Sequence, residues 1–280
     1  MADATYSWPS KKESSVLGTD VDRTDGMEKV TGAAKYANDV NFPKMLVAVG
    51  LGCPHAHCKV VSVDTSEAEK THGVVHVTVQ NGEGKEIQWQ GEIIAFVAAE
   101  SEGAAREGAS KIKVKYEMLD VFAADEDIEA AIQADRTHKA GGKVELQNEP
   151  GDDEDEEEFE NREIARLLKE AEHTVEGYYG IDAITHCCLE PHGSTVRYSG
   201  DKLEAWLSTQ NVSGTDDQYA SALGITADDV EVQCQYIGGG FGSKFRVDYW
   251  GVAAAQISKE TGRPVKLMLD RDQELKIAGN

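Results

Sequence analysis

Tyr236-Ile237-Gly238-Gly239-Gly240-Phe241-Gly242-Ser243-Lys244-Phe245 decides how this chain is read. Residues 238–242 contain four glycines and are interrupted only by Phe241. A backbone this bare can adopt positive φ at several positions and bring its N–H groups up to a ligand. The alternating run Val230 to Ile237 before it reads as a strand, and Val247 to Glu260 after it as a helix. A strand, a glycine loop and a helix together present main-chain N–H groups to an anion. The loop does not end in the Gly-Lys-Ser/Thr of a magnesium-linked phosphate loop, because Gly242 is followed by Ser243 and Lys244. Ser243 also stands where a dinucleotide fingerprint needs its third glycine. On pattern alone, a tight structural turn and a ligand loop both remain open.

Working outward, the downstream helix is expected to be capped by Gly262 and stopped by Pro264, with a strand at Val265 to Leu269. Asp270-Arg271 begins a further element. Upstream, Gly214 to Leu223 reads as a helix closed by Gly224. Val196–Tyr198 and Leu203–Ser208 form a hairpin across Ser199-Gly200-Asp201, followed by the polar Thr209-Gln210-Asn211. Val175 to Tyr179 reads as another strand. His186, Cys187, Cys188, Glu190 and His192 cluster in sequence; free thiols and a hydrogen-bonded network are the expected reading, with a Cys-His nucleophile as the competing one.

The 152–160 run holds eight acids in nine residues and reads as a solvated linker, followed by an amphipathic helix from Arg162 to Glu172. It has no central glycine for a calcium loop. Before it, strands are expected at Met45–Gly52, Val60–Val63, Val74–Val79, Glu92–Ala99 and Lys111–Met118. Helices are expected at Ser101–Ser110 and, capped by Thr65 or Ser66, through Lys70. Cys53-Pro54-His55-Ala56-His57-Cys58 has zinc-type ligands, but His55 and His57 alternate on an extended chain and point apart, so a structural segment is expected.

The chain is 280 residues long with a net charge of −23 and 40% hydrophobic residues. That is enough for about two domains with packed cores, and the charge argues against nucleic acid. Five cysteines in no regular framework fit a reduced, cytoplasmic setting. No leader and no apolar run of about 18 residues is seen, so no membrane association is expected.

Taken in order, these blocks resemble the molybdenum-binding large subunit of the xanthine dehydrogenase / aldehyde oxidase family. Arg23-Thr24-Asp25-Gly26, Lys29-Val30-Thr31-Gly32 and Lys35-Tyr36 are similar to its opening. Pro54-His55-Ala56-His57 and Val63-Asp64-Thr65-Ser66-Glu67-Ala68 are similar to its next block. Leu189-Glu190-Pro191-His192, Ser208-Thr209-Gln210 and Gly238 to Lys244 resemble the start of its cofactor domain.

The resemblance implies an α/β (α+β) chain: an arm at 1–19, a hammerhead α/β domain at 20–125, an acidic linker with a short helix at 126–171, and the first part of a molybdopterin-binding α/β domain at 172–280. It implies a pyranopterin molybdenum cofactor held by Gly239, Gly240, Phe241 and Gly242, with the Phe241 backbone near the metal. It implies oxidative hydroxylation of an aldehyde or N-heterocycle with water-derived oxygen, and a glutamate base. Because cluster-type cysteine spacing is lacking, iron–sulfur clusters and FAD are expected on partner chains.

In many relatives a glutamine stands where this chain has Ile184, so that contact is missing or supplied elsewhere. The family subunit is much longer; its base and remaining cofactor segments are expected beyond Asn280, on a C-terminal part or split subunit. A non-catalytic scaffold with half a cradle is the alternative, and a thiol or hydrolytic enzyme built on His186, Cys187 or Cys188 a third account. The 172–280 half is expected to show apolar surface to a partner.

Overall fold

The computed structural model describes residues 8–137, 146, 148, 150, 151, 155–177 and 184–279. Two compact units emerge, one formed by 1–119 together with 185–280 and the other by 120–184.

The first unit is built on a seven-stranded mixed sheet in the order β3-β5-β1-β10-β7-β8-β9. Its strands are β1 (Leu46–Gly52), β3 (Val74–Val79), β5 (Ile93–Ala99), β7 (Gly193–Ser199), β8 (Lys202–Leu207), β9 (Val230–Gln233) and β10 (Val265–Met268). β1 pairs in parallel with β10, Leu46 opposite Val265, so strands from both halves of the sequence share one sheet. β8 and β9 are also parallel; the remaining pairs are antiparallel. A second sheet, β4-β2-β6, joins β2 (Cys58–Asp64), β4 (Glu86–Ile87) and β6 (Lys113–Met118).

β5 is the fully buried strand that its unbroken apolar run predicts. Alternation sends Phe96 and Ala98 into one core and Ala95 and Val97 into another. The first core holds Tyr219 and Ala220 of helix α6 (Val212–Leu223) and Trp250, Ala253, Ala254 and Ile257 of α7 (Asp248–Thr261). The second holds Ala68 of α2 (Ser66–Glu69), Ala109 of α3 (Glu102–Ser110), Val63 and Val114. Burying a side chain the size of Phe96 stabilises by about 1.5–3 kcal/mol.

The local stops are where the sequence puts them. Gly224 and Gly262 close α6 and α7 in the left-handed conformation. Ser101 caps α3 by accepting from the Ala104 amide at 3.3 Å. The predicted hairpin across 199–201 is β7–β8. Asp270 and Gln273 form a reciprocal capping box at the start of α8 (Arg271–Ile277). The short α1 (Gly26–Val30) follows the Asp25 turn.

Several expectations change. β9 ends at Gln233, four residues short of the expected Ile237, because its partner β8 ends at Leu207. α2 has no side-chain cap from Thr65 or Ser66; the Ser66 amide donates to Asp64 instead, at 3.0 Å. No strand forms at 175–177, and Tyr178 and Tyr179 lie outside the described residues.

The second unit contains α4 (Ile128–Gln133) and α5 (Glu156–Glu170). α5 begins inside the acidic run rather than at Arg162. Asp155 caps it, accepting from Glu157 and Glu158 at 3.1 Å, and the acids of its first turn face the positive end of the helix dipole. Leu167 and Leu168 are exposed, whereas Phe159 and Glu163 are buried. Arg166 pairs with Glu163 at 2.6 Å and holds its carboxyl down at about 2. No helix among the described residues is long and apolar enough to cross a membrane.

Candidate cofactor cradle

β7 runs antiparallel to β8 and β10, and β9 parallel to β8. The start of β7 therefore lies at the same end of the sheet as the ends of β8, β9 and β10. Four connections meet there: 186–192, 208–211, 234–247 and 269–271. This is the end of a sheet where loops gather and ligands bind.

The glycine loop needs its composition. Gly239 and Gly242 sit at φ +110° and +106°, and Phe241 is itself left-handed at +53°. A Cβ on Gly240 would lie 2.7 Å from Gln210 Cγ and closer still to its Oε1. Gln210 Oε1 accepts from the Gly242 amide at 3.0 Å and the Lys244 amide at 3.3 Å, while the Gln210 amide donates to Lys244 O at 2.7 Å. Ser243 N donates back to Gly240 O at 3.0 Å. The Gly238 amide is held by Glu190 Oε2. The amides of Gly239, Gly240 and Phe241 have no acceptor among the described residues.

Of the four residues expected to contact a cofactor, three thus keep N–H groups without an acceptor among the described residues, Gly240 being itself buried, and the fourth, Gly242, spends its own on Gln210. Phe241 and Phe245 are exposed, as is Leu189 on the neighbouring connection. A cavity lies alongside, walled by Tyr36, Trp206, Gln233, Cys234 and Tyr236. The loop residues 239–242 do not line it.

Behind the loop is a buried polar layer. Lys244 is fully buried, and its Nζ donates to Glu190 O and Ser208 Oγ, both at 2.7 Å. Burial pushes its pKa below the ordinary lysine value, against the pull of Glu190. His192 Nδ1 lies 3.0 and 3.2 Å from the buried Glu274 carboxylate, and its amide also donates there. Arg271 donates to the carbonyls of Cys188 and Leu189 at 2.7 and 3.1 Å, fixing the 186–192 connection. Burial raises the Asp248 carboxyl to about 6, opposed by His192 and Arg246.

His186, Glu190 and His192 therefore do not converge as a catalytic set. His192 serves Glu274, Glu190 serves the loop, and Glu190 Oε1 and His186 Nδ1 are buried without a partner among the described residues. Cys187 is exposed, Cys188 is buried, and both are free thiols. Gln210, Lys244 and Glu274 had no local signal marking them as loop supports. Their partners lie tens of residues away, and only the neighbouring glycines hint that something must press close.

The Cys53–Cys58 segment is structural. Its two sulfurs touch at 3.5 Å inside a core with Val60, Ile87 and Ile94. His57 bonds Glu86 at 2.9 Å, and His55 packs edge-on against Tyr116. Burial raises the Cys58 thiol to about 12. No group of three or more metal-ligating side chains is placed for an ion among the described residues.

The chemistry of the cradle fits an oxygen-rich anionic group: three adjacent amides open, a loop pinned from behind, and a buried ammonium beside it. Comparison with known proteins agrees. Residues 148–280 match the molybdopterin cofactor-binding domain, and 31–82 match the a/b hammerhead domain of aldehyde oxidase and xanthine dehydrogenase. The xanthine dehydrogenase/oxidase of Gallus gallus is 29% identical over 90% of this chain, which spans 19% of that protein. The aldehyde oxidoreductase molybdenum-binding subunit PaoC of Escherichia coli (strain K12) is 28% identical over 91% of this chain and 35% of its own length. The crystal structure of quinoline 2-oxidoreductase from Pseudomonas putida 86 superposes with a TM-score of 0.73 at 25% identity, covering 92% of this chain and 35% of that one.

Proposed function

Because this chain belongs to the xanthine dehydrogenase / aldehyde oxidase family and corresponds to a portion of its molybdenum-binding large subunit, we propose that it forms one wall of a molybdenum hydroxylase active site. The open amides of Gly239, Gly240 and Phe241 carry this reading. They would donate to the oxygen-rich face of a pyranopterin molybdenum cofactor, with the Phe241 backbone nearest the metal and Gly242 shaping the turn. The bound cofactor would supply two-electron oxidation and transfer of water-derived oxygen to an aldehyde or N-heterocycle.

This chain's own residues do the holding. Gln210 fixes the turn, and Glu190 fixes its first amide. The exposed rings of Phe241 and Phe245 offer apolar surface against which a flat substrate is oriented and water kept out. The chain spans about a fifth to a third of the length of the relatives it matches. The base glutamate, the rest of the cofactor site, and the iron–sulfur and flavin centres that carry electrons away are therefore proposed to lie elsewhere in the assembly. A cytoplasmic setting belongs to the same proposal and is supported by five free thiols.

Metal and pterin analysis of the assembly purified from its native source, with all partners retained, tests the reading. One molybdenum and one pterin per chain is the expected result. A molybdenum-free assembly favours the scaffold alternative and overturns the hydroxylase.

A further inference from the structure

Lys244 is three residues past Phe241, and none of its side chain reaches water. A buried ammonium is normally matched by a carboxylate in contact. Here the two bonded partners of Nζ are a carbonyl, Glu190 O, and a hydroxyl, Ser208 Oγ. No carboxylate lies within ion-pair distance of it among the described residues. Of the two nearby acids, Glu274 receives His192, while the Glu190 carboxylate receives the Gly238 amide through Oε2, keeps Oε1 buried without a partner among the described residues, and attracts the ammonium without touching it. The main chain of Lys244 is tied in as well. Its carbonyl accepts from the Gln210 amide and from Thr209 Oγ1 at 3.1 Å, and its amide donates to Gln210 Oε1. One residue therefore joins the 186–192, 208–211 and 238–245 connections and brings a buried ammonium, bonded only to a carbonyl and a hydroxyl, into the layer that supports the glycine loop.

We propose that Lys244 is a positioning residue of the cradle, clamping its three connections and supplying the buried positive charge that makes the cradle select an anionic group. This rests on the cofactor reading above and assigns the source of its charge preference. Inside a protein, where water screens poorly, such a charge acts over several ångströms. The cost of burying it without a bonded carboxylate is relieved when an anion fills the cradle.

The test separates charge from packing. Lys244→Met removes the charge and keeps most of the stem. Gln210→Glu keeps the oxygen that accepts from Gly242 and Lys244 while placing a negative charge at the turn, against the main chain of both residues. Wild type and both variants are purified as the complete assembly, and molybdenum and pterin per chain are measured with the melting temperature. The expected result is full content in the wild type and at least about a tenfold loss in both variants, a factor worth about 1.4 kcal/mol of binding. Gln210→Glu is expected to keep its melting temperature within a few degrees. Full content in Gln210→Glu overturns the charge role, even if Lys244→Met fails to fold. A loaded Lys244→Met overturns the proposal outright while leaving the cofactor reading intact. A wild type without molybdenum overturns both.

Discussion

Two stretches of this chain are rich in residue types that do chemistry, and they behave in opposite ways. Between Cys53 and Cys58, two thiols and two imidazoles are absorbed by their neighbours: sulfur on sulfur, His57 on Glu86, His55 on Tyr116. Between Gly238 and Lys244 there is hardly a reactive side chain, yet among the described residues three amides have no acceptor and one buried ammonium has no bonded carboxylate. A buried N–H without a partner costs about 1–3 kcal/mol; of the three residues Gly240 is buried, Gly239 half-buried and Phe241 exposed. On the proposed reading, these adjacent amides are kept for a group that binds there. Ligand-type side chains are thus a poorer marker of a site than main-chain groups left unsatisfied.

The largest expected effect lies behind the loop. Glu274→Ala strands the buried His192 and the two donors it gives to the carboxylate. Leaving buried donors without an acceptor costs about 1–3 kcal/mol each. Urea unfolding of the chain should show a loss of that size, and a loss under about 1 kcal/mol would mean that the pair contributes little to the wall.

Gly240→Ala strikes the cradle itself. The added methyl collides with Gln210, which must release the Gly242 and Lys244 amides. Stability should drop by about 1–3 kcal/mol, and molybdenum content by at least about tenfold. A fully loaded Gly240→Ala assembly would erase the contrast between the two stretches.

Asp248 sharpens the comparison through pH. Its carboxyl is held near 6 in the folded chain against an ordinary 3.8. Between those values the folded state keeps a proton that the unfolded state has lost, so stability falls as pH rises through about 4 to 6. Asp248→Asn should therefore be more stable than the parent at pH 8, by about 3 kcal/mol. The difference should vanish below about pH 4. Asparagine also tolerates the left-handed backbone found there, at φ +56°. A variant less stable than the parent at pH 8 would show that the ionised carboxylate is favourably held.

The smallest effect belongs to the first stretch. Cys53→Ala trims a small buried side chain and should cost about 1 kcal/mol, with molybdenum content unchanged and no zinc in the parent by elemental analysis. Stoichiometric zinc would return a metal to that segment.

Much of the fold could be read in advance because its signals are local. β5 shows its burial in a short apolar run, the β7–β8 hairpin shows itself in its Ser-Gly-Asp turn, and α6 and α7 in their closing glycines. What escaped depends on distant partners or on charge in context. The parallel pairing of β1 with β10 brings together residues more than two hundred positions apart, and no local pattern states such a register. The acidic run was expected to repel itself into a linker, yet from Asp155 its charges stabilise the positive end of α5. In the cradle, the bare backbone is plain from the four glycines; Gln210 and Lys244 lie in blocks that resemble the family's cofactor domain, but their role as supports, like that of Glu274, depends on partners that only folding brings together.

Amide hydrogen exchange on the assembly, with and without its cofactor, reads out whether the loop amides are the groups that hold it. Loading should slow exchange at Gly239, Gly240 and Phe241 by at least about tenfold, while the amides of 53–58 keep the same rate in both states. Equal rates at 239–241 in the loaded and empty assemblies would contradict that role.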